Sequence, residues 1–298
     1  MKTDQASNTA LIVAAGVQML ARDPGYRGLV PNAMATHGQR LLRVSHPRLA
    51  NLIARHWFRT LAYTAEKITL PGILLHYVLR KRVIRDYVAQ AVANGTQQII
   101  LTGAGYDTLC MELAEQHDGL RLIEIDHPAT QAVKRTASGA NGTSRIHYIA
   151  AELGTQSMAE VLNSCPHFDA SLKTLFIAEG LFMYLTTSDI VRLLQQMKMA
   201  AHDVSVICTW MEIQADGRPN FRPASKIIDF FLRKKNEPFL SGMAQDQLGT
   251  FLQQYGFDLK DLKASSVATQ VASQLSRQNQ PIAGEYICLA ESASMNLI

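Results

Sequence analysis

From Gly95 onward, short apolar runs of strand length alternate with helix-length segments, and this alternation limits the fold more than any other feature of the chain. The runs are Gln98–Leu101, Leu120–Ile125, Ile146–Ile149, Thr174–Ala178, Val204–Thr209 and, late, Glu285–Ala290. Residues 107–117, 128–138, 155–163 and 187–201 supply helices between them. Consecutive strands are thus joined by crossovers long enough for parallel pairing, which predicts an α/β fold on a parallel, doubly wound sheet. Upstream, Arg and Lys are scattered through 47–66 and 73–94, with no alternating strand pattern. A helix is predicted there over 9–22, opened by Ser7-Asn8-Thr9 and closed by Asp23-Pro24-Gly25. The chain therefore divides into an N-terminal helical extension, 1–94, and an α/β core, 95–298. Within the core, Met211–Pro238 is rich in Arg, Lys, Phe and Pro before a helix resumes over Gln245–Tyr255. An insertion at 211–245 lies over the carboxyl ends of the strands, where open α/β sheets bind ligands, and reads as a substrate lid.

Composition excludes several classes. With 298 residues, 47% of them hydrophobic, the chain can bury one large core or two modest ones. Its 29 Lys and Arg against 25 Asp and Glu fall short of the basic face that nucleic acid requires, so no nucleic-acid partner is expected. Cys110, Cys165, Cys208 and Cys288 stand far apart without CxxC or His spacing. Neither a metal site nor a disulfide framework is expected, and the thiols suit a reducing, cytoplasmic setting. No run approaches the roughly 20 apolar residues of a membrane span. The N-terminus carries Asp4, and Gln18 interrupts its apolar run, so it reads poorly as a signal peptide.

The most informative segment is Ile99-Ile100-Leu101-Thr102-Gly103-Ala104-Gly105-Tyr106-Asp107-Thr108. An apolar strand runs into two glycines and then into a helix. Glycine lacks a Cβ and accepts positive φ, so such a turn lets bare backbone approach a ligand. The next strand ends Ile123-Glu124-Ile125-Asp126, and a carboxylate at that edge can accept both hydroxyls of a ribose. Two ligand classes compete for this pattern. A dinucleotide turn needs a third small residue at position 108, where this chain has Thr108. A sulfonium nucleoside carries no phosphate and needs only close backbone and a ribose acceptor, which fits better. A nicotinamide oxidoreductase and a binding module without turnover stay open as alternatives, and thermal-shift screening against both cofactors separates the first.

With these segments in view, the chain resembles the leucine carboxyl methyltransferase family and its bacterial O-methyltransferase relatives, over nearly its whole length. Arg22-Asp23-Pro24, Arg80-Lys81-Arg82-Val83-Ile84, the glycine turn, Glu124-Ile125-Asp126-His127-Pro128 and Ile177-Ala178-Glu179-Gly180-Leu181-Phe182-Met183-Tyr184-Leu185 carry the resemblance. It implies a class I methyltransferase, Rossmann-like fold and S-adenosyl-L-methionine as cofactor. It also implies that Gly103, Ala104 and Gly105 line the cofactor, that Asp126 holds the ribose and that Glu179 sits beside the cofactor at the fourth strand. Arg80 grips the cofactor carboxylate, with Arg82 as a rival. Glu152-Leu153 takes the place where the family has Asp-Leu beside the adenine. The family acid after the basic helix corresponds here to Arg85 followed by Asp86.

Each residue also has a plainer reading. Arg80, Lys81, Arg82 and Arg85 also read as the wet face of a helix, Arg80 less so than the others, Asp107 as a helix cap, Tyr184 as a core ring and His127 as a surface residue. Glu179 differs, because it leaves the apolar run Thr174–Ala178, where an unpaired carboxylate is costly. Methyl transfer is an in-line displacement that chiefly demands alignment, and proximity can supply roughly 7–11 kcal/mol of such a barrier. A carboxylate acceptor, with a pKa near ~4, needs no base, whereas a phenol or alcohol does. His76, His147, His167 and His202 are scattered in sequence, without a His-Asp pair at the strand ends. The expected acceptor is therefore a carboxylate of a small molecule or peptide, oriented by Tyr184 or by the lid cations Arg218 and Arg222.

Overall fold

The computed structural model describes residues 8–139, 145–153, 156–223, 238–264 and 280–293. Five helices precede the sheet: α1 (Asn8–Ala21), α2 (Asn32–Ser45), α3 (Pro47–Ala54), α4 (His56–Thr69) and α5 (Ile73–Ala93). The alternating region then unfolds as β1 (Gln98–Thr102), α6 (Leu109–Gln116), β2 (Arg121–Asp126), α7 (Pro128–Ser138) and β3 (Ile146–Ala150). It continues through α8 (Met158–Asn163), β4 (Thr174–Ala178), α9 (Thr187–Ala200) and β5 (Val204–Met211). After the insertion come α10 (Gln245–Gln254), β6 (Phe257–Ala264) and β7 (Glu285–Ser292). The strands form one sheet in the order β3-β2-β1-β4-β5-β7-β6. Neighbours from β3 to β5 are parallel, while β7 runs antiparallel between β5 and β6.

Both faces of the central strands are buried, which is why they read as unbroken apolar runs rather than alternating ones. Ile99 and Leu101 of β1 and Leu175 and Ile177 of β4 join the layer that contains α5 and α6. Their neighbours Ile100, Phe176 and Ala178 point the other way, into the layer of α8, α9 and α10. A third cluster holds α1 to the first half of α5 together, through residues such as Leu20, Met34, Ile53 and Leu79. Local signals place the crossover helices: α8 opens on a capping box between Ser157 and Glu160, and Thr186 caps α9 by accepting the N–H of Asp189.

The sequence pattern missed β6. Its Phe257-Asp258-Leu259-Lys260-Asp261-Leu262-Lys263-Ala264 mixes charge into every second or third position, because it is the outer strand beside β7. Charged residues on an edge strand discourage pairing with other chains and also hide the apolar alternation. The insertion expected at 211–245 begins where β5 ends, and residues 224–237 of it lie outside the described set. Its returning limb bonds to the segment after β4: Leu240 N donates to the Met183 carbonyl at 2.7 Å, and Ser241 Oγ to the Leu185 carbonyl at 2.5 Å. All four cysteines are buried and free, and among the described residues no helix is long and apolar enough to cross a membrane.

Candidate active site

The glycine turn leaves β1 and meets the end of β2. Thr102 Oγ1 donates to the Ile177 carbonyl at 3.0 Å, and Gly103 N to the Ile125 carbonyl at 2.9 Å, so the turn is tied to both flanking strands. Gly103 and Gly105 have φ of +68° and +51°. A Cβ on Gly103 would fall 3.1 Å from Leu181 Cδ1, and one on Gly105 3.1 Å from Ala10 Cβ of α1. The N-terminal helices therefore reach the turn, where the positive φ disfavours side chains and the close approach of Leu181 and Ala10 leaves them little room. Asp126 closes the turn from the neighbouring strand. Its carboxylate accepts the N–H of Gly105 and, at 2.6 Å, that of His127. Burial raises its pKa, and these two N–H groups and nearby cations pull against that. A carboxylate has about four lone-pair sites, so two inward bonds leave acceptor capacity for a ligand hydroxyl.

The next two strands contribute further acids. Glu152 follows β3 and lies 3.2 Å from His127 Nε2, while Leu153 packs on the core layer. His127 is buried, not a surface residue, and its Nδ1 accepts the Ala129 N–H to cap α7. Glu179 follows β4 and faces α5. Arg80 donates to Glu179 through Nε at 3.0 Å and lies 2.9 Å from it through Nη2. The other side of the same guanidinium donates to Glu285 of β7 at 2.8 and 3.1 Å. His76, one turn earlier on α5, lies 2.6 Å from Glu285, and both side chains are fully buried. This His–Glu pair was missed from sequence because 209 positions separate its members. Burial works against Glu285's charge, yet Arg80 and then His76 outweigh it and hold the pKa at about 2.

Lys81 and Arg85 also turn inward, contrary to the reading of a wet helix face. Lys81 pairs with Asp107 and lies 3.0 Å from Glu179. Arg85 reaches Glu112 at 2.6 Å and Asp107 at 3.6 Å. Arg82, by contrast, donates to the Leu29 carbonyl at 3.0 Å and takes no part in this network. Asp107 does cap α6: its Oδ1 accepts the Leu109 N–H at 2.6 Å. Burial raises its pKa, but Lys81 and Arg85 drive it well below the carboxylate range. The start of α6 is thus occupied by a charged carboxylate, at the spot where a dinucleotide fold places its pyrophosphate.

The expected substrate residues are dispersed. Tyr184 is half-buried and packs against Phe239 of the insertion, with ring centres 5.8 Å apart. Arg222 is exposed and pairs with Glu212 at 2.6 Å. Arg218 is exposed in a turn, where its N–H bonds Asp216. Neither arginine forms an ion pair with Asp126, Glu179 or Glu285. Among the described residues no group of three or more His, Cys, Asp or Glu side chains is arranged to hold a metal.

A sheet of order 3-2-1-4-5-7-6 with an antiparallel seventh strand, a glycine turn after β1 and acids after β2 and β4 defines the class I methyltransferase fold. The leucine carboxyl methyltransferase family profile matches residues 9–198, and the chain belongs to that family. A provisionally named S-adenosyl-L-methionine-dependent methyltransferase of Saccharopolyspora erythraea is 31% identical over 130 residues, 43% of each chain. A similarly named protein of a Parafrankia strain is 23% identical over 223 residues, 71% of this chain and 67% of that one. The match to the Saccharopolyspora relative thus spans less than half of that protein. A crystal structure of a provisionally named methyltransferase from Thermobifida fusca superposes with a TM-score of 0.58 at 16% identity, covering 86% of this chain and 94% of its own.

Proposed function

We propose that the chain transfers a methyl group from S-adenosyl-L-methionine to a carboxylate oxygen of a small molecule or peptide. The observation that carries the reading is the convergence, at one sheet edge, of two positive-φ glycines, the Asp126 carboxylate and the Arg80–Glu179 pair. The residues fit such a ligand. Gly103 and Gly105 offer bare backbone while Ala104 between them is buried in the core, Asp126 keeps acceptor capacity for a ribose, and Glu152 and Leu153 flank the β2–β3 edge where an adenine would lie. Arg80 supplies a cation for the cofactor's carboxylate, and Glu179 an acceptor for its ammonium group. The network pairs four carboxylates, Asp107, Glu112, Glu179 and Glu285, with Arg80, Lys81, Arg85 and His76, so each buried acid has a basic partner before any ligand arrives. Asp107 at the start of α6 disfavours the nicotinamide alternative, because a second anion there would be repelled.

Bound, the cofactor supplies an electrophilic methyl on a positively charged sulfur. The protein's task is to align it and exclude water. Arg80, fixed on both sides by buried acids, is preorganised and cannot drift with the ligand. His76 is engaged by Glu285 and fully buried, so it orients that acid and Arg80 and does not serve an acceptor as base. An acceptor that is already anionic needs no proton removed. Family membership supports a carboxylate, and so does the engagement of His76, the histidine of this network, by Glu285.

The test is turnover with S-adenosyl-L-methionine across matched panels of carboxylic acids, peptides with free C-termini, phenols and alcohols, read as S-adenosylhomocysteine release and as base-labile ester. Ester formation confined to the carboxylates is expected. Transfer only to phenols or alcohols would refute the acceptor class, and cofactor binding without turnover on any panel would favour a binding module.

A further inference from the structure

A cavity opens among the N-terminal helices, and none of the residues lining it belongs to the strand-end site. There Gln18 and Arg22 at the end of α1, Gln39 of α2 and Arg59 of α4 line a partly open cavity of about 360 Å³, with alanines between them. That volume suits a small metabolite. Gln18 is 3% exposed, and its Nε2 has no hydrogen-bond partner. The amide lies over Gly38 of α2, where a Cβ would come within 2.5 Å of Nε2, so the glycine leaves room for a donor that has no partner among the described residues. Buried amide donors are normally satisfied.

The charged side chains that line the cavity, Arg22 and Arg59, have one sign. Arg59 donates through Nη1 to the carbonyls of Ile53 and Ala54 at 2.9 and 3.1 Å, which anchors it on the end of α3 and leaves its other N–H groups for the cavity. The Arg22 guanidinium is pushed below its ordinary pKa by burial and then by the charges of Arg43 and Arg59. Nearby acids are turned elsewhere: Asp23 accepts the Gly25 N–H at 2.9 Å and faces Tyr63, and Glu66 accepts the Leu74 N–H at 3.2 Å. Among the described residues none of Arg22, Arg43 and Arg59 has a carboxylate within 4 Å. Clustered arginines with an orphan amide donor at the same wall form a receptor for a negatively charged group that accepts several hydrogen bonds.

We infer that this cavity binds a small molecule bearing a carboxylate or phosphate group, at a site distinct from the strand-end site. Calorimetry of the full chain at low ionic strength tests this, with citrate and, separately, inorganic phosphate as probes, each with S-adenosylhomocysteine at saturation. One saturable site for at least one probe is expected, and which probe binds separates carboxylate from phosphate chemistry. Arg22→Gln is expected to weaken it at least about tenfold, in keeping with a charged hydrogen bond. Gln39→Leu should also weaken it, whereas Arg145→Gln, which removes an exposed charge elsewhere, should not. The inference is overturned if neither probe saturates, if Arg22→Gln and Arg145→Gln act alike, or if S-adenosylhomocysteine displaces the probe.

Discussion

Replacing Glu285 by Gln isolates the charge that organises the network. The side chain has no exposed surface and meets Arg80 Nη1 at 2.8 and 3.1 Å and His76 at 2.6 Å. Desolvation alone would push its pKa up, but Arg80 first and His76 second lower it from 4.5 to about 2. A folded-state pKa below the unfolded value adds stability that is complete above pH 4.5 and lost as the pH falls through about 2. At 1.36 kcal/mol for each tenfold change in proton affinity, the depressed pKa corresponds to about 3 kcal/mol at neutral pH. That is a large part of a typical stability of about 5–15 kcal/mol. The amide keeps the shape and some of the hydrogen bonding, so the expected loss is electrostatic. Urea unfolding of both proteins at pH 7, 4 and 3 should show a gap of about 3 kcal/mol that narrows over the acidic range. A gap that stays constant with pH would mean that Glu285 acts through packing, and no gap at all would mean that its partners gain nothing from its charge.

Asp126→Ala should abolish retention of S-adenosylhomocysteine in calorimetry while the circular dichroism spectrum is preserved; wild-type affinity would contradict the placement of the ribose. Gly103→Val should do the same, because a side chain at φ +68° is strained by roughly 1–2 kcal/mol and meets Leu181. Arg80→Ala should cost about 1.5–3 kcal/mol of the same affinity, whereas Arg82→Ala, whose guanidinium serves the Leu29 carbonyl, should leave it intact. Lys134→Met strands Glu124, its fully buried partner at 2.5 Å, and should destabilise the fold by about 3–5 kcal/mol in urea titrations. Adding Glu124→Leu to it should recover most of that loss, since removing both charges leaves no unpaired one.

The strands and the glycine turn were legible because their signals are local. A run such as Thr174–Ala178 is apolar on both faces, and Gly-x-Gly declares its backbone freedom wherever it stands. The charged network was not, because its members are brought together by topology: Arg80 and Glu285 lie 205 positions apart, on a helix before the sheet and on the strand that ends it. Nothing in Arg80-Lys81-Arg82-Val83-Ile84-Arg85 distinguishes an inward cation from an outward one until the acids opposite are located. Two of those acids are legible for other reasons, Asp107 as a cap of α6 and Glu179 as the costly end of a buried strand, whereas Glu112 and Glu285 are not. The two sets of observations are halves of one electrostatic balance. A carboxylate such as Glu179, emerging from a buried strand, requires a cation nearby, and the sequence offers two dense runs of them, Arg80-Lys81-Arg82 before the sheet and Arg233-Lys234-Lys235 in the insertion. Charge compensation requires that some cations turn inward, but that Arg80, Lys81 and Arg85 do so while Arg82 turns to the Leu29 carbonyl is decided by how α5 packs, which no local pattern records.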